Sequence, residues 1–449
     1  MVNCISNFNF VLLNHYLYQP VSFMNILIIG SGGREHTLAW KLKQSPLCNE
    51  LFIAPGNAGT AQLGVNVPLA TTDFEGLTIF CLENKIEMLI VGPEDPLVKG
   101  IYDHFKLNPL TAGIHVIGPS KEASRLEGSK AYAKAFMDRH QIPTAAYREF
   151  DATNFEAGIS YIKNHALPIV LKADGLAAGK GVVICTDHAA ALLEFEQMIQ
   201  QAKFGESGKR VVIEQFLDGI ELSMFVLTDG KNYVLLPEAK DYKRIGIGDK
   251  GLNTGGMGAV SPVPFVDEAY IQKVKKAIIE PTVAGLLAEK LEYKGVVFIG
   301  LINVKGEPMV IEYNCRFGDP ETEVIIPRIE NDLVEIFLAT AQQRLDEITI
   351  KTSPMAAVTV VAVSGGYPNQ YETGKEILGL VDAELTGTIV FHSGSLQDGE
   401  KVLTNGGRVL AVTSTGSNIT AAAAQSNRVL EKIRFDGIYF RDDIGYEFR

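Results

Sequence analysis

From Asn25 onward, short apolar runs alternate with helical stretches. NILIIG at 25–30 is followed by a helical stretch, Glu35 to Gln44, and then by ELFIAP at 50–55, EMLIVGP at 87–93 and HVIGP at 115–119. This is the βαβ rhythm of a parallel sheet with helices on its faces, and it predicts a first α/β domain over about 24–125. A helix over Ser129 to His140 leads to the turn IPT, and a β-rich segment then carries PIVLKADGLAAGKGVVIC and RVVIEQFLDG. Further on lie the loop TGGMGA, a helix near 267–290 and the strands GVVFIGLINV and PMVIEYN. From about 350 the chain offers the β runs AAVTVVAV, GTIVFHSG and GRVLAVTS and one alanine-rich helix. No internal repeat is visible.

At 449 residues the chain is too long for one ordinary core, and typical domain sizes suggest three or four packed units. Its 46% hydrophobic content is globular, and its 43 glycines concentrate in a few loops, where chemistry is to be sought. A net charge of -12 argues against a general nucleic-acid binder, which needs clustered Lys and Arg. Cys4, Cys48, Cys81, Cys185 and Cys315 form no CxxC pair, so neither a disulfide framework nor a zinc site is implied, and a cytoplasmic location fits best. No apolar run reaches the ~18 to 20 residues of a membrane helix. Met1 to Phe23 lacks the charge pattern of a signal or transit peptide and precedes a second methionine, Met24. It is expected to be a disordered extension or an upstream translation start.

Five segments carry candidate chemistry, each with a plainer reading beside it. Gly30-Ser31-Gly32-Gly33-Arg34-Glu35-His36 looks like a dinucleotide fingerprint, but Glu35 stands where a small residue belongs, and the second strand ends in Ala54-Pro55-Gly56 without the acid that holds a ribose diol. What remains is a set of amides at a helix N-terminus, a seat for a single phosphate, or simply a tight turn. Val170 to Val183 resembles a P-loop, with one residue too few between Gly175 and Gly179 and with Gly181 where Ser or Thr should bind magnesium. Flanking β runs make it a glycine-rich hairpin flap over phosphates, with Lys172 and Lys180 supplying charge; a plain hairpin is the alternative.

Glu214 to Leu217 at a strand end suits an adenine edge, and Glu221, seven residues after Glu214, suits ribose hydroxyls, though charged residues bounding a strand are usually just solvated. Period two places Glu312 and Asn314 on one strand face, a spacing that suits Mg²⁺, with Arg316 and Asp319 in the next turn; the plainer reading is a polar face on an edge strand. Lys240 to Arg244 precedes Asn253 to Gly258, whose glycines would let amides approach a substrate anion; surface charge is the alternative.

Together the strings GSGGREH, APGNAG, VGPE, Lys172 to Gly181, NTGGMG and NCRFGDPE, in this order, resemble the phosphoribosylamine-glycine ligase (glycinamide ribonucleotide synthetase) family from Met24 to the closing Phe435 to Ile438. The resemblance, which leaves the extension at 1–23 outside it, implies an ATP-grasp fold, α/β in class: an N-terminal α/β domain at 24–125, a mobile lid region at 126–216, a central ATP-grasp domain at 217–348 and a C-terminal β-rich domain at 349–449.

It implies ATP and Mg²⁺ or Mn²⁺ as cofactors, with Lys134 and Lys172 on the phosphates, Gly175, Gly179, Lys180 and Gly181 covering them, Glu214 and Leu217 bordering adenine and Glu221 on ribose. Glu312 and Asn314 would hold the metal; the preceding strand reads Gly300-Leu301-Ile302-Asn303, leaving a third protein ligand in doubt. Glycine and 5-phosphoribosylamine would lie among Gly32, Gly33, Asn57, Glu94, Asp241, Arg316 and Asp319, with Arg316 and Asp319 the catalytic candidates and no residue assigned as general base. The implied reaction joins the two through glycyl phosphate, giving glycinamide ribonucleotide, ADP and phosphate in purine synthesis, by a monomer or weak oligomer without nucleic-acid or membrane partners. Rival readings are another ATP-grasp ligase or carboxylase, a non-catalytic nucleotide-binding regulator and, weakened by the missing acid, a nicotinamide dehydrogenase.

Overall fold

The computed structural model describes residues 23–176, 181–201, 203–381 and 387–449. The expected extension at 1–23 therefore lies, save for Phe23, outside the described residues, as do Gly179 and Lys180.

The apolar run at 24–30 becomes the middle strand of a parallel sheet. Met24–Gly30 pairs with Cys48–Pro55 on one side and with Ile86–Val91 on the other, Ile28 lying opposite both Ile53 and Ile90. Its side chains alternate in destination: Ile26 and Ile28 enter one buried cluster, Leu27 and Ile29 another. Period two sends neighbours to opposite faces, and because both faces are covered the run carries no polar alternation.

The sheet then continues past this first unit. His115–Pro119 pairs antiparallel with Tyr293–Val304, which pairs in turn with Ile220–Thr228 and with Glu307–Asn314. From Ile220–Thr228 the order runs through Tyr233–Asp241, Gly258–Ser261, Ala356–Val363 and Arg408–Gly416 to Thr388–His392, a 13-stranded sheet among the described residues. The helix Lys130–Arg139 packs Phe136 and Met137 against the central strands, sharing a cluster with Leu222, Met224 and Val310. The alanine-rich helix Ile419–Leu430 covers the C-terminal strands with Ala422, Ala423 and Val429.

A second, four-stranded antiparallel sheet stands apart: Tyr147–Asp151, Arg210–Gln215, Ile169–Ala173 and Val182–Cys185, in that order. Helices Phe155–Asn164 and His188–Ile199 lie on it, with Phe155 stacked on Phe195 at 5.1 Å between ring centroids. It has its own core around Ile162, Leu171, Phe195 and Val211, which is what lets so small a sheet stand by itself. No described helix is long and apolar enough to cross a membrane. Cys48, Cys81, Cys185 and Cys315 are free thiols.

Candidate active site

A cavity of about 1110 Å³ runs between the four-stranded sheet and the central strands, and a smaller one of about 260 Å³ opens at the start of the first helix. Asp319, Tyr367 and Arg408 line both.

The inner part of the larger cavity is built from three lysines. Ser129 caps the helix Lys130–Arg139 by accepting from Tyr132 N, an arrangement that stabilises a helix start by about 1 kcal/mol. Helical periodicity then aims Lys130 and Lys134 the same way. Lys134 Nζ lies 3.1 Å from Glu214 Oε2 and donates to Thr144 Oγ1 at 2.7 Å. Lys172, from the facing strand, lies 3.0 Å from Glu214 Oε1 and donates to the Ile311 carbonyl at 3.2 Å. One buried carboxylate is thus shared by two buried ammonium groups, and desolvation draws Lys134 down to about 8. An anion entering here would relieve the excess positive charge.

The hairpin expected at 170–183 is present as an antiparallel pair with Lys172 opposite Val182. Its base is anchored to the lysine helix, since Asp174 Oδ1 accepts from Ala131 N at 2.8 Å and from Ser129 Oγ at 2.9 Å, and Lys130 donates to the Gly175 carbonyl at 3.2 Å. A β-carbon on Gly175 would collide with Ser207, so only glycine passes there. Gly181 lines the cavity; Leu217, half-buried, does not.

Glu312 and Asn314 sit on Glu307–Asn314, opposite Gly300 and Phe298, and both line the cavity. Asn314 Oδ1 accepts from Arg316 Nη2 at 3.2 Å. Among the described residues there is no group of three or more His, Cys, Asp or Glu that could hold a metal ion. Two oxygen donors lining the same cavity as a cluster of lysines fit a hard divalent ion that completes its shell with phosphate and water.

Arg316 reaches across the cavity floor, with Nη2 3.0 Å from Glu127 Oε1 and Nε 3.4 Å from Glu94 Oε2. That Nε is buried without an aligned hydrogen-bond partner. Although burial works the other way, Arg316 and Arg34 hold the Glu94 carboxyl below its ordinary range. Lys243 pairs with half-exposed Glu221 at 2.7 Å, and burial, opposed by Lys243, raises Asp241.

The glycine turn explains the broken fingerprint. Glu35 Oε2 accepts from Gly32 N at 2.5 Å, and its Oε1 pairs with Arg34 Nε at 2.6 Å. Its side chain fills the space that β-carbons on Gly30 and Gly92 would take, so the turn is closed from within. Gly32 and Asn57 line the smaller cavity with Ser393, Ser395, Asn405 and Arg408. The Asn57 carboxamide is committed to the main chain, donating to Ser31 O at 2.9 Å and His392 O at 2.7 Å and accepting from Gly59 N and Thr60 N. Gly33 lies behind, where a β-carbon would collide with Glu323 and Ser393. Asp319 Oδ1 pairs with Arg408 Nη1 at 2.9 Å, and that nitrogen also donates to the Asp319 and Gly255 carbonyls.

Lys130, Glu127, Glu321 and Arg408 escaped the sequence reading. Lys130 was signalled by its spacing of four from Lys134. Glu321 closed the string NCRFGDPE, already singled out by resemblance, without a role.

The chain matches the Phosphoribosylglycinamide synthetase N domain over residues 24–127, its ATP-grasp (A) domain over 128–322 and its C domain over 357–447. The phosphoribosylamine-glycine ligase of Vibrio vulnificus (strain YJ016) is 48% identical over 426 residues, covering 94% of this chain and 98% of that one. That of Escherichia coli (strain K12) is 47% identical over 427 residues, with the same coverage. The crystal structure of phosphoribosylamine-glycine ligase from Thermotoga maritima is 34% identical, with a TM-score of 0.81 over 93% of this chain and 99% of its own. The biotin carboxylase domain of the Hydrogenobacter thermophilus 2-oxoglutarate carboxylase, solved with MgADP and bicarbonate, is 16% identical with a TM-score of 0.70 over 93% of this chain and 92% of that one, a likeness of fold alone.

Proposed function

The chain belongs to the phosphoribosylamine-glycine ligase family, ATP-grasp enzymes that join glycine to phosphoribosylamine in purine biosynthesis with ATP and a divalent metal, and from that premise we infer that its cleft works through glycyl phosphate. The observation that carries this reading is the pair of buried lysines sharing Glu214. Their surplus charge suits the distal phosphates of ATP, with Lys130 beside them and the 170–183 hairpin above.

Glu312 and Asn314 would hold Mg²⁺, with Mn²⁺ as the substitute, and the bound ion would offset the repulsion between the γ-phosphate and the glycine carboxylate. Arg316, a guanidinium lining the cavity floor, orients that carboxylate so that one of its oxygens faces the phosphorus. Asp241 takes the glycine ammonium, and Glu221 takes the nucleotide ribose. In the smaller cavity, which Gly32 borders just before the ten-residue helix, the Arg408 guanidinium holds the phosphate of phosphoribosylamine. Asp319, bordering both cavities, fixes Arg408 between the two substrates. The amine then reaches the glycyl carbon, and the product is glycinamide ribonucleotide.

Isotope transfer tests the order of steps. Glycine labelled with ¹⁸O in its carboxylate is expected to pass one labelled oxygen to inorganic phosphate per turnover. Label-free phosphate, or release of AMP and pyrophosphate, would rule out the acyl phosphate.

A further inference from the structure

Amide formation sheds a proton. When the neutral amine of phosphoribosylamine attacks the carbonyl carbon of glycyl phosphate, a C–N bond forms and the C–O bond to phosphorus-bearing oxygen breaks, that oxygen leaving with the electron pair as phosphate. The nitrogen arrives with two hydrogens and keeps one as an amide, so a neighbouring base must take the other.

The carboxylates of the larger cavity differ in their freedom to do this. Glu94, Glu127, Glu214, Glu221 and Asp319 each lie within ion-pair distance of a lysine or arginine. Glu312 belongs to the metal. Glu321 lines the same cavity, is only 4% exposed, and accepts from Ser223 Oγ at 3.1 Å. A β-carbon on Gly318 would collide with Glu321 Oε2, so the glycine preserves room for the carboxyl group.

The charged groups around Glu321 come from four elements. Asp241 and Lys243 face it from the end of Tyr233–Asp241 and the residues that follow, Arg316 from the turn after Glu307–Asn314, and Glu323 and Arg408 from behind. Burial first and the Asp241 carboxylate second push Glu321 up to about 7, against Lys243 and Arg316. A proton acceptor works best when its basicity sits near the working pH. Asp241 lies beside two lysines, Lys240 and Lys243, which favour its charged form. An ammonium settling on Asp241 screens the repulsion between the two carboxylates, leaving Glu321 ionised for the second half of the reaction.

We propose that Glu321 is a catalytic residue that removes the proton from the phosphoribosylamine nitrogen as it attacks the glycyl carbon. This role rests on the acyl phosphate reading, because it belongs to the step after activation. Ser223 is the positioning residue that holds the carboxyl group in the cavity.

Trapping separates the two steps. Native protein and E321Q are each given ATP, glycine and Mg²⁺, once with freshly generated phosphoribosylamine and once with hydroxylamine, a strong nucleophile near neutral pH that captures acyl phosphates without a base. E321Q is expected to form glycine hydroxamate within about twofold of the native rate while its ligation of phosphoribosylamine falls about 100-fold or more, the scale of general-base catalysis. The retained hydroxamate also certifies that the variant is folded. Ligation at the native rate by E321Q, or an equal fall in both reactions, overturns the proposal and leaves the acyl phosphate reading intact. Native protein that yields no hydroxamate overturns that reading, and this one with it.

Discussion

His392 N donates a hydrogen bond to His36 Nδ1 across 2.7 Å, tying the strand Thr388–His392 to the helix Gly33–Leu42. The contact requires an unprotonated Nδ1 on His36. Burial, helped by the His392 ring, lowers His36 to about 3, and burial alone lowers His392 to about 4.

The seam is therefore acid-labile. Both histidines stay neutral in the folded chain while their unfolded counterparts take up protons below about 6.5, so stability is full above that value and is lost progressively as pH falls toward 4 and then 3. Melting temperature measured from pH 7 down to pH 4 is expected to fall steadily, and H36Q is expected to flatten that slope. A slope unchanged in H36Q would mean that other groups set it.

Glu323 gives the opposite sign. It is fully buried with both carboxyl oxygens unpartnered, and burial, with Asp319 adding to it, raises its pKa well above the ordinary range. The unfolded side chain ionises above about 4.3 while the folded one keeps its proton, so its contribution declines as pH rises, by about 1.4 kcal/mol per unit until the folded group itself ionises. E323Q removes this term. Its melting temperature relative to the native chain is expected to climb between pH 5 and pH 8, and a constant difference across that range would show that the carboxyl group does not titrate so.

K172M removes one of the two ammonium groups on Glu214 and leaves the other, so the chain is expected to stay folded while half-saturation by ATP rises about tenfold or more, the equivalent of about 1.4 kcal/mol. Steady-state rates against ATP concentration check it. An unchanged ATP response from a folded variant would remove Lys172 from the phosphate site.

E312Q keeps the side-chain volume and discards the charge. The magnesium concentration for half-maximal rate is expected to rise at least about tenfold, with partial recovery at high Mg²⁺. A native rate at limiting magnesium would sink the assignment.

What could be read from the chain was whatever local spacing encodes. The run at 24–30 announced a buried strand because its five core residues divide between two faces, and the hairpin at 170–183 announced itself through glycines between apolar runs. Glu312 and Asn314 were legible because period two keeps them on one face. The electrostatic wiring was not. Glu214 stands 80 residues from Lys134 in sequence and 42 from Lys172, and nothing in a strand end says that both lysines will converge on it. Arg408 and Asp319 are 89 residues apart and meet because the C-terminal strands close against the turn after Asn314. Glu35 read as a defect in a fingerprint and proved to be the plug of its own turn.

The large sheet runs without interruption from the first strand to Thr388–His392, whereas the four-stranded sheet is joined to it by just two stretches of backbone, 140–146 and 216–219. The molecule is accordingly a vice with one large jaw and one small one. Glu312, Asn314, Arg316, Asp319 and Arg408 ride on the anvil, whose strands are held in mutual register by ladders of backbone bonds. Lys172 and Glu214 ride on the smaller jaw, which is latched by their grip on Lys134 and on the Ile311 carbonyl and by the bonds of Asp174 and Gly175 to Ser129, Lys130 and Ala131. A nucleotide that competes for those lysines would loosen the latch that closes over it, so admission and release of the nucleotide share one set of contacts.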